Sequence, residues 1–522
     1  MPRTLLTPLR ASLIGVIGII TCWSLATPRY AGPDEPSHAV ASAALVRGDR
    51  TGPGAGFVYD SALFVVPAMV GDPNPGCFAL QPDIPARCAG SPIDSTAMTT
   101  RDSTAYVYPI WGQLLPGLAS FIPTSQWYLY LARSFNASLA AALVVAAIRR
   151  CRQRSSTWLL TGLFVGVTPI AWFSISVVNP SALSIAGGAA LWASILTPPR
   201  RGQNVLLAAS WLALALPRRD GPLWATLVVT FACIASQQGP RNLWRQLGKP
   251  SRTFLLGSLP VSLIPMYVNG YDRMTALIAL VPLAIPVGEV TIKSSLARRI
   301  GRSHMKVRVG LVLAAPFAAL LAANVIRPGG ANFSLTVNII SDTGQHLRQI
   351  VGLLGWVDTP PPEFAVLLWW ATLGGVAVLA LLATPRAAAV GAAAFATELV
   401  TSWVVRLGLG YATGAGWQGR YSMPFFVGVP MLLAAGIAIE PAREPRMAVA
   451  IRGSVWVVWN AAFYAAMRRW GAGVSGNPYP WHWELWGSPG HPAIYIVLHG
   501  LASGWLLWGS DRAAATGILD GS

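Results

Sequence analysis

The chain reads as all-α: a polytopic transmembrane helix bundle of about 12–14 helices, with an extracytoplasmic first loop bearing interfacial helices. Three observations predict it. Of 522 residues, 53% are hydrophobic and only 11% are charged, where a soluble domain carries about 25% charged residues; the mean hydropathy is +0.50. Uncharged runs recur along the whole length, each near the ~20 residues that a helix needs to cross a bilayer. Ser155–Pro199 holds no Asp, Glu, Lys or Arg at all. The runs are continuous rather than alternating, which argues against a transmembrane barrel.

Taken in order, the elements begin with a span at Ala11–Thr27, preceded by Arg3 and Arg10. Ala26 is followed by Thr27-Pro28, a poor cleavage context, so residues 1–27 read as a retained first helix with a cytoplasmic N-terminus. Residues 28–126, rich in Pro, Gly and Asp, form an extracytoplasmic loop. Inside it, Tyr106–Pro123 is apolar but interrupted by Pro109, Pro116 and Pro123. Were it to span, Arg149-Arg150-Cys151-Arg152-Gln153-Arg154 would fall outside, against the positive-inside rule. It therefore reads as interfacial, and the second span is Trp127–Ile148.

A bundle over residues 127–326 follows. In it, Ser155–Pro199 supplies two helices turned at Asn179-Pro180. Residues 327–363 form a second outer loop, in which Gln345–Leu354 reads as an amphipathic surface helix. Residues 364–522 form a C-terminal bundle with outer loops. Cationic loops at Arg200-Arg201, Arg241–Arg252, Lys293–Arg308, Arg386 and Arg443–Arg446 are all cytoplasmic if about 14 helices are drawn, and both termini are then inside.

The net charge of +18 is thus a membrane signature: the cations sit in short loops that meet anionic lipid. No basic face with interleaved aromatics appears, which excludes nucleic acid as a partner. Arg218-Arg219-Asp220 and Arg468-Arg469 fall outside against the rule, so they face an anionic ligand or lipid headgroups. Cys77 and Cys88 share the first outer loop, where a disulfide would close a short proline-rich stretch. Cys22, Cys233 and Cys151 read as packing thiols. No Cys/His spacing suggests zinc.

Chemistry is expected on the outer face, where the longer polar loops collect. Asp34 and Glu35, with His38 close by, follow the first span directly. The two carboxylates could act as a general base or hold a divalent cation such as Mg or Mn; equally, Asp34 could cap a helix with Glu35 in its first turn. Asp358, in Gly355-Trp356-Val357-Asp358-Thr359-Pro360, either faces the same cavity or caps the next helix. In Gly416-Trp417-Gln418-Gly419-Arg420-Tyr421, Arg420 offers a planar fork suited to phosphate. Trp417 and Tyr421 could stack on a sugar or belong to an aromatic belt. Arg133 and Glu398 are charges inside predicted spans and need a polar surrounding, although Arg133 could snorkel. Asn136 and Asn332 head N-x-S sequences that read as chance.

Four of these segments form one pattern: Pro33-Asp34-Glu35-Pro36-Ser37-His38, Asn179-Pro180-Ser181-Ala182-Leu183, Leu354-Gly355-Trp356-Val357-Asp358-Thr359-Pro360 and Gln418-Gly419-Arg420-Tyr421-Ser422-Met423-Pro424. In order, over nearly the whole chain, they resemble the recurrent motifs of a multi-pass bacterial family catalogued as a domain of unknown function and common in actinobacteria. That family is itself similar to the GT-C glycosyltransferases. The resemblance implies a polyprenyl-phosphate-linked sugar donor and an envelope glycan acceptor on the outer face of the plasma membrane. Asp34 or Glu35 would be the base, and Arg420, with Arg218 or Arg219, would hold the leaving phosphate. Ser181 departs from the pattern, standing where an Asp is frequent. The rival readings are a lipid-linked oligosaccharide flippase or transporter, for which Glu398 is the main support, and a non-catalytic envelope assembly protein.

Overall fold

The computed structural model describes residues 8–49, 57–58, 61–71, 75–91, 93–124, 127–152, 157–198, 203–237, 245, 332–410, 416–437 and 444–509. The spans expected between residues 246 and 331 lie outside the described residues. So do the cationic loops at Lys293–Arg308 and, apart from Arg245, at Arg241–Arg252, and both chain termini.

Five described helices are long and apolar enough to cross a membrane. They are α1 (Pro8–Ala26), α4 (Tyr128–Arg152), α12 (Glu363–Ala383), α13 (Pro385–Leu409) and α17 (Pro492–Gly504), the last continued by a π turn to Gly509. Their outward faces stay apolar: Leu367 is 67% and Leu382 78% exposed on α12. Such a surface suits lipid and would be a liability in water.

The uncharged stretch Ser155–Pro199 departs from the expected pair of helices. It forms α5 (Trp158–Gly166), α6 (Pro169–Ser176) and α7 (Ser181–Leu196). The first two are bent by 67° and make at most one broken span. Pro169 at the head of α6 supplies no N–H to continue α5, so the helix breaks at Val167-Thr168. Thr168 bridges the break by donating its hydroxyl to the Ile350 carbonyl at 2.7 Å.

Every residue of α7 is buried. Its Ser, Ala and Gly residues let neighbours approach closely, and at Gly188 the backbone of Pro424 leaves no room for a Cβ. Around α7 pack α4, α8 (Gln203–Ala215), α9 (Gly221–Ser236) and α14 (Gly419–Phe426). α15 (Gly428–Ala435) lies against α5, and α16 (Glu444–Ala472) against α12 and α17.

Helices α1 and α4 run antiparallel. Arg152 reaches Ser12 at one end, while Arg133 reaches the carbonyls of Ser24 and Thr27 at the other. α17 lies beside α1, with Ala502 against Gly18 and Leu506 against Gly15. The first and last described helices therefore leave the bundle at the same end.

The first loop adds a small sheet to the mostly helical fold. β1 (Phe57–Val58), β2 (Ser61–Pro67) and β3 (Met98–Ser103) form a three-stranded antiparallel sheet in that order, with Phe64 opposite Arg101. Along β2, Ala62, Phe64 and Val66 are buried and alternate with more exposed residues; this period of two is the strand signal. The sheet packs on α2 (Glu35–Leu45). The segment Tyr106–Pro123 forms only short turns and α3 (Leu114–Leu118), with Leu118 and Phe121 exposed.

Cys77 and Cys88 form a disulfide; Cys22, Cys151 and Cys233 are buried and not disulfide-bonded. The bridged loop is held by Arg469 of α16, which donates to the carbonyls of Phe78 and Ile84, both at 2.7 Å. Arg469 is fully buried against protein, which corrects its assignment to lipid or ligand, and Arg468 donates to the Gly476 carbonyl. Replacing both cysteines by Ser should cost about 2–4 kcal/mol, as for removal of a short-loop bridge. A melting temperature unmoved by Cys77→Ser/Cys88→Ser would count against that contribution.

Candidate functional site

The site forms where the four motif segments meet, at the end of the bundle where α1 terminates. The chain leaves α1 through two non-glycine residues in the left-handed region, Tyr30 (φ 57°) and Asp34 (φ 61°). Such backbone is uncommon outside glycine, and the surroundings must hold it. Asn179 does so from one side, donating to the Pro33 carbonyl at 3.3 Å while its Oδ1 accepts from Ser181 N at 2.9 Å. Trp356 does so from another, donating to the Tyr30 carbonyl at 3.0 Å.

This turn sends the two adjacent carboxylates to different partners. Glu35 is fully buried. Arg133 donates to it twice, Nε to Oε1 and Nη2 to Oε2, each at 2.8 Å. Val178 N and Gly32 N also donate to Glu35, at 3.0 and 3.3 Å. The remaining Arg133 donors go to the carbonyls of Ser24, Thr27 and Pro28. Arg133 therefore does not snorkel, and Glu35 has no oxygen left for a substrate or cation. This corrects the reading of Asp34 and Glu35 as a functional pair.

Asp34 occupies the N-cap position of α2, but its side chain makes no cap bond. Instead its Oδ2 accepts from Arg420 Nη2 at 2.8 Å, and its side chain is 41% exposed. Arg420 is 2% exposed. Nη2 also donates to the Tyr421 hydroxyl at 3.1 Å, whereas Nε and Nη1 are buried with no partner among the described residues. Arg218 stacks on the Tyr421 ring at 4.2 Å, pairs with Asp220 at 2.9 Å and donates to Ser181 Oγ at 3.1 Å. Ser181 thus offers a hydroxyl to Arg218, and Asp220 supplies the opposing charge. Trp417 packs edge-on against Tyr421, and its Nε1 is also unpartnered. Gln418 precedes α14 at its N-cap position.

His38 lies beneath this cluster, edge-on to Tyr108 at 4.8 Å. Burial lowers its pKa from 6.5 to about 4; Asp34 opposes the shift, and Arg420 and Arg218 add to it. His38 is thus neutral at pH 7. Because the unfolded chain takes up this proton first, the contribution of His38 to stability is full above about 6.5 and is lost as pH falls through about 4. His38→Gln should flatten that acid limb in a melting-temperature series from pH 7 to 4. An unchanged limb would contradict the neutral assignment.

The structure thus brings together Asp34, His38, Arg218, Trp417, Arg420 and Tyr421. Arg219 lies alongside, bracing the Val107 carbonyl at 2.7 Å. Asp358 does not face Asp34: its Oδ2 accepts from Arg469 at 2.8 Å and from Leu80 N at 3.1 Å. It belongs to the disulfide-loop anchor, beside a separate cleft of about 330 Å³ that also borders Arg348, Glu363 and Gln345. Glu398 pairs with His346, away from the site. The amphipathic surface helix expected there is α11 (Thr343–Gly352), preceded by α10 (Phe333–Ser341). His346, Gln349 and Ile350 of α11 are buried. Asn136 donates to the Val177 carbonyl, and Asn332 caps α10.

Sequence reasoning missed Tyr108 and Asp220 as members of the site. The only available signals were an aromatic at the start of a proline-broken segment and an acid beside two arginines. Among the described residues, no three of His, Cys, Asp or Glu gather as a metal set.

Residues 17–429 match the family described as Predicted membrane protein (DUF2142). The chain belongs to this family. The match takes in all four motif segments and the whole cluster around Asp34 and Arg420. No curated protein and no solved structure matches the chain.

Proposed function

We propose that this family member is a GT-C-like membrane glycosyltransferase that uses a polyprenyl-phosphate sugar on the outer face of the plasma membrane. The observation that carries the reading is the Asp34–Arg420 pair. It joins a half-exposed carboxylate to a buried guanidinium of which two nitrogens have no partner among the described residues. Those donors suit a phosphate oxygen, with Arg218 adding charge from the Tyr421 face.

In the reaction, Asp34 takes the proton of an acceptor hydroxyl. The hydroxyl oxygen bonds to the anomeric carbon. The carbon–oxygen bond to phosphate breaks, and the electron pair leaves on the polyprenyl phosphate, held by Arg420. Attack opposite the leaving group inverts the anomeric centre. Asp34, already paired with Arg420, is by itself a poor donor set for a divalent cation.

The test uses full-length protein in vesicles with a panel of labelled polyprenyl-phosphate sugars. Wild type should release polyprenyl phosphate from one donor, and Arg420→Ala should weaken binding of that donor at least tenfold. A panel that wild type binds and leaves unconverted, in the presence of envelope glycan acceptors, would overturn the reading. The flippase alternative draws on the broken span α5–α6, since interrupted helices often line transport paths. It predicts lipid-linked sugar movement across vesicles with no bond broken.

A further inference from the structure

The separate cleft of about 330 Å³ opens at the head of α12, within the size range of small-molecule sites. Leu353, Val357, Pro361 and Val366 give it apolar walls. Arg348 and Glu363 also line it and pair at 2.9 Å, with side chains 56% and 65% exposed. The wall at Val357 is preformed. Val357 is β-branched yet sits at φ 65°, backbone that its surroundings must hold. Leu354 and Thr359 pair across the loop, and Arg469 and Leu80 N fix Asp358.

Position and charge together narrow the occupant. Glu363 opens a helix long and apolar enough to cross the membrane, so the cleft mouth stands at headgroup level. From there an apolar strip runs down the outside of α12: Phe364 is 56%, Leu367 67% and Val378 55% exposed. A Cβ added at Gly374 would meet nothing within 4 Å, and helical spacing puts these positions on one face. An ion pair as exposed as Arg348–Glu363 contributes little, so a ligand can part it. To satisfy both side chains, that ligand must carry an anion and a cation. Glu363 offers a compact carboxylate rather than the aromatic cage that takes quaternary ammonium, which suits a primary ammonium able to donate hydrogen bonds.

We propose that this cleft binds the headgroup of a phospholipid that carries a primary ammonium, of the phosphatidylethanolamine type. The phosphate takes Arg348, whose planar fork matches its oxygens. The ammonium takes Glu363. One exposed pair within the protein is thereby exchanged for two charge-assisted pairs to the lipid. The glycerol end meets Leu353 and Val366, and the acyl chains descend past Phe364, Leu367 and the open surface at Gly374. The loop that forms the Val357 wall also carries Trp356 to the Tyr30 carbonyl, so the lipid seats against the support of the turn that leads to Asp34. The proposal does not rest on the glycosyltransferase reading.

The test is native mass spectrometry of full-length protein in micelles, titrated with phosphatidylethanolamine, phosphatidylcholine and phosphatidylglycerol of identical chains. Phosphatidylethanolamine should bind about tenfold more tightly than either of the others, the scale of one charge-assisted hydrogen bond. Arg348→Ala should weaken it by about the same factor, and Glu363→Gln should bring it level with phosphatidylcholine. Both side chains are exposed, so both variants should fold with an unmoved thermal midpoint. Free phosphoethanolamine, which lacks the chains, should bind more weakly than the lipid. Equal binding of the three lipids, or a preference for phosphatidylethanolamine that survives Glu363→Gln, would overturn the proposal. So would tightest binding of phosphatidylglycerol, or free phosphoethanolamine bound as tightly as the lipid. No sugar transfer is read, and Asp34 and Arg420 are left intact, so failure here is distinct from failure of the proposed reaction.

Discussion

Glu35→Gln should leave little folded protein in the membrane. The substitution removes one charge of a buried pair and leaves Arg133, with all five N–H donors engaged, facing a neutral amide. Losing one partner of a buried ion pair costs roughly 3–5 kcal/mol, a large part of the roughly 5–15 kcal/mol by which domains are stable. The damage would spread, because this pair ties the end of α1, the turn at Pro28, α2, α4 and the Val178 backbone together. The measurement is the thermal midpoint and yield of full-length protein beside Asp34→Asn. Glu35→Gln/Arg133→Met should regain part of the loss, since it removes both charges. A single Glu35→Gln variant as stable as wild type would mean that the pair does not anchor the fold.

The second large effect concerns rate rather than stability. On the proposed glycosyltransferase reading, Asp34→Asn should lower sugar transfer by about 10²–10⁴-fold, the range for loss of a general base, while the thermal midpoint barely moves. Asparagine suits this test. Its amide oxygen can still accept from Arg420, and it tolerates the left-handed backbone of Asp34 better than most residues. On the same reading donor binding should survive, because Nε and Nη1 of Arg420 are untouched. Full transfer activity in Asp34→Asn would remove the carboxylate from the mechanism. The contrast between these neighbours is itself a prediction: one substitution empties the membrane, the other silences a folded protein.

The sequence treated Asp34 and Glu35 as one feature, because adjacent carboxylates look alike until the backbone is known. A positive φ at Asp34 separates them, and no local pattern in Gly32-Pro33-Asp34-Glu35-Pro36 announces it. Arg133 posed the same difficulty. A cation near the end of a span is compatible with snorkelling, and only the arrival of Glu35 from another helix shows why it is buried. Asp358 reads as a cavity residue or a helix cap and Arg469 as facing a ligand or lipid, yet 111 residues apart each is the other's partner. The sheet in the first loop was overlooked because a strand as short as Ser61–Pro67 carries a weak period-two signal against a strongly apolar background.

The sequence by itself determined the environment and the motif set. Hydropathy summed over ~20 residues is a bulk transfer energy that needs no knowledge of neighbours, so the membrane assignment and the span at α4 could be read from residue order alone. The tertiary structure decided which charges oppose which. Coulomb pairing depends on distances of a few ångströms between residues that lie from 52 to 386 positions apart. Only the folded chain sets Arg420 against Asp34, Arg133 against Glu35 and His346 against Glu398, leaving Asp34 exposed while its neighbour becomes an anchor.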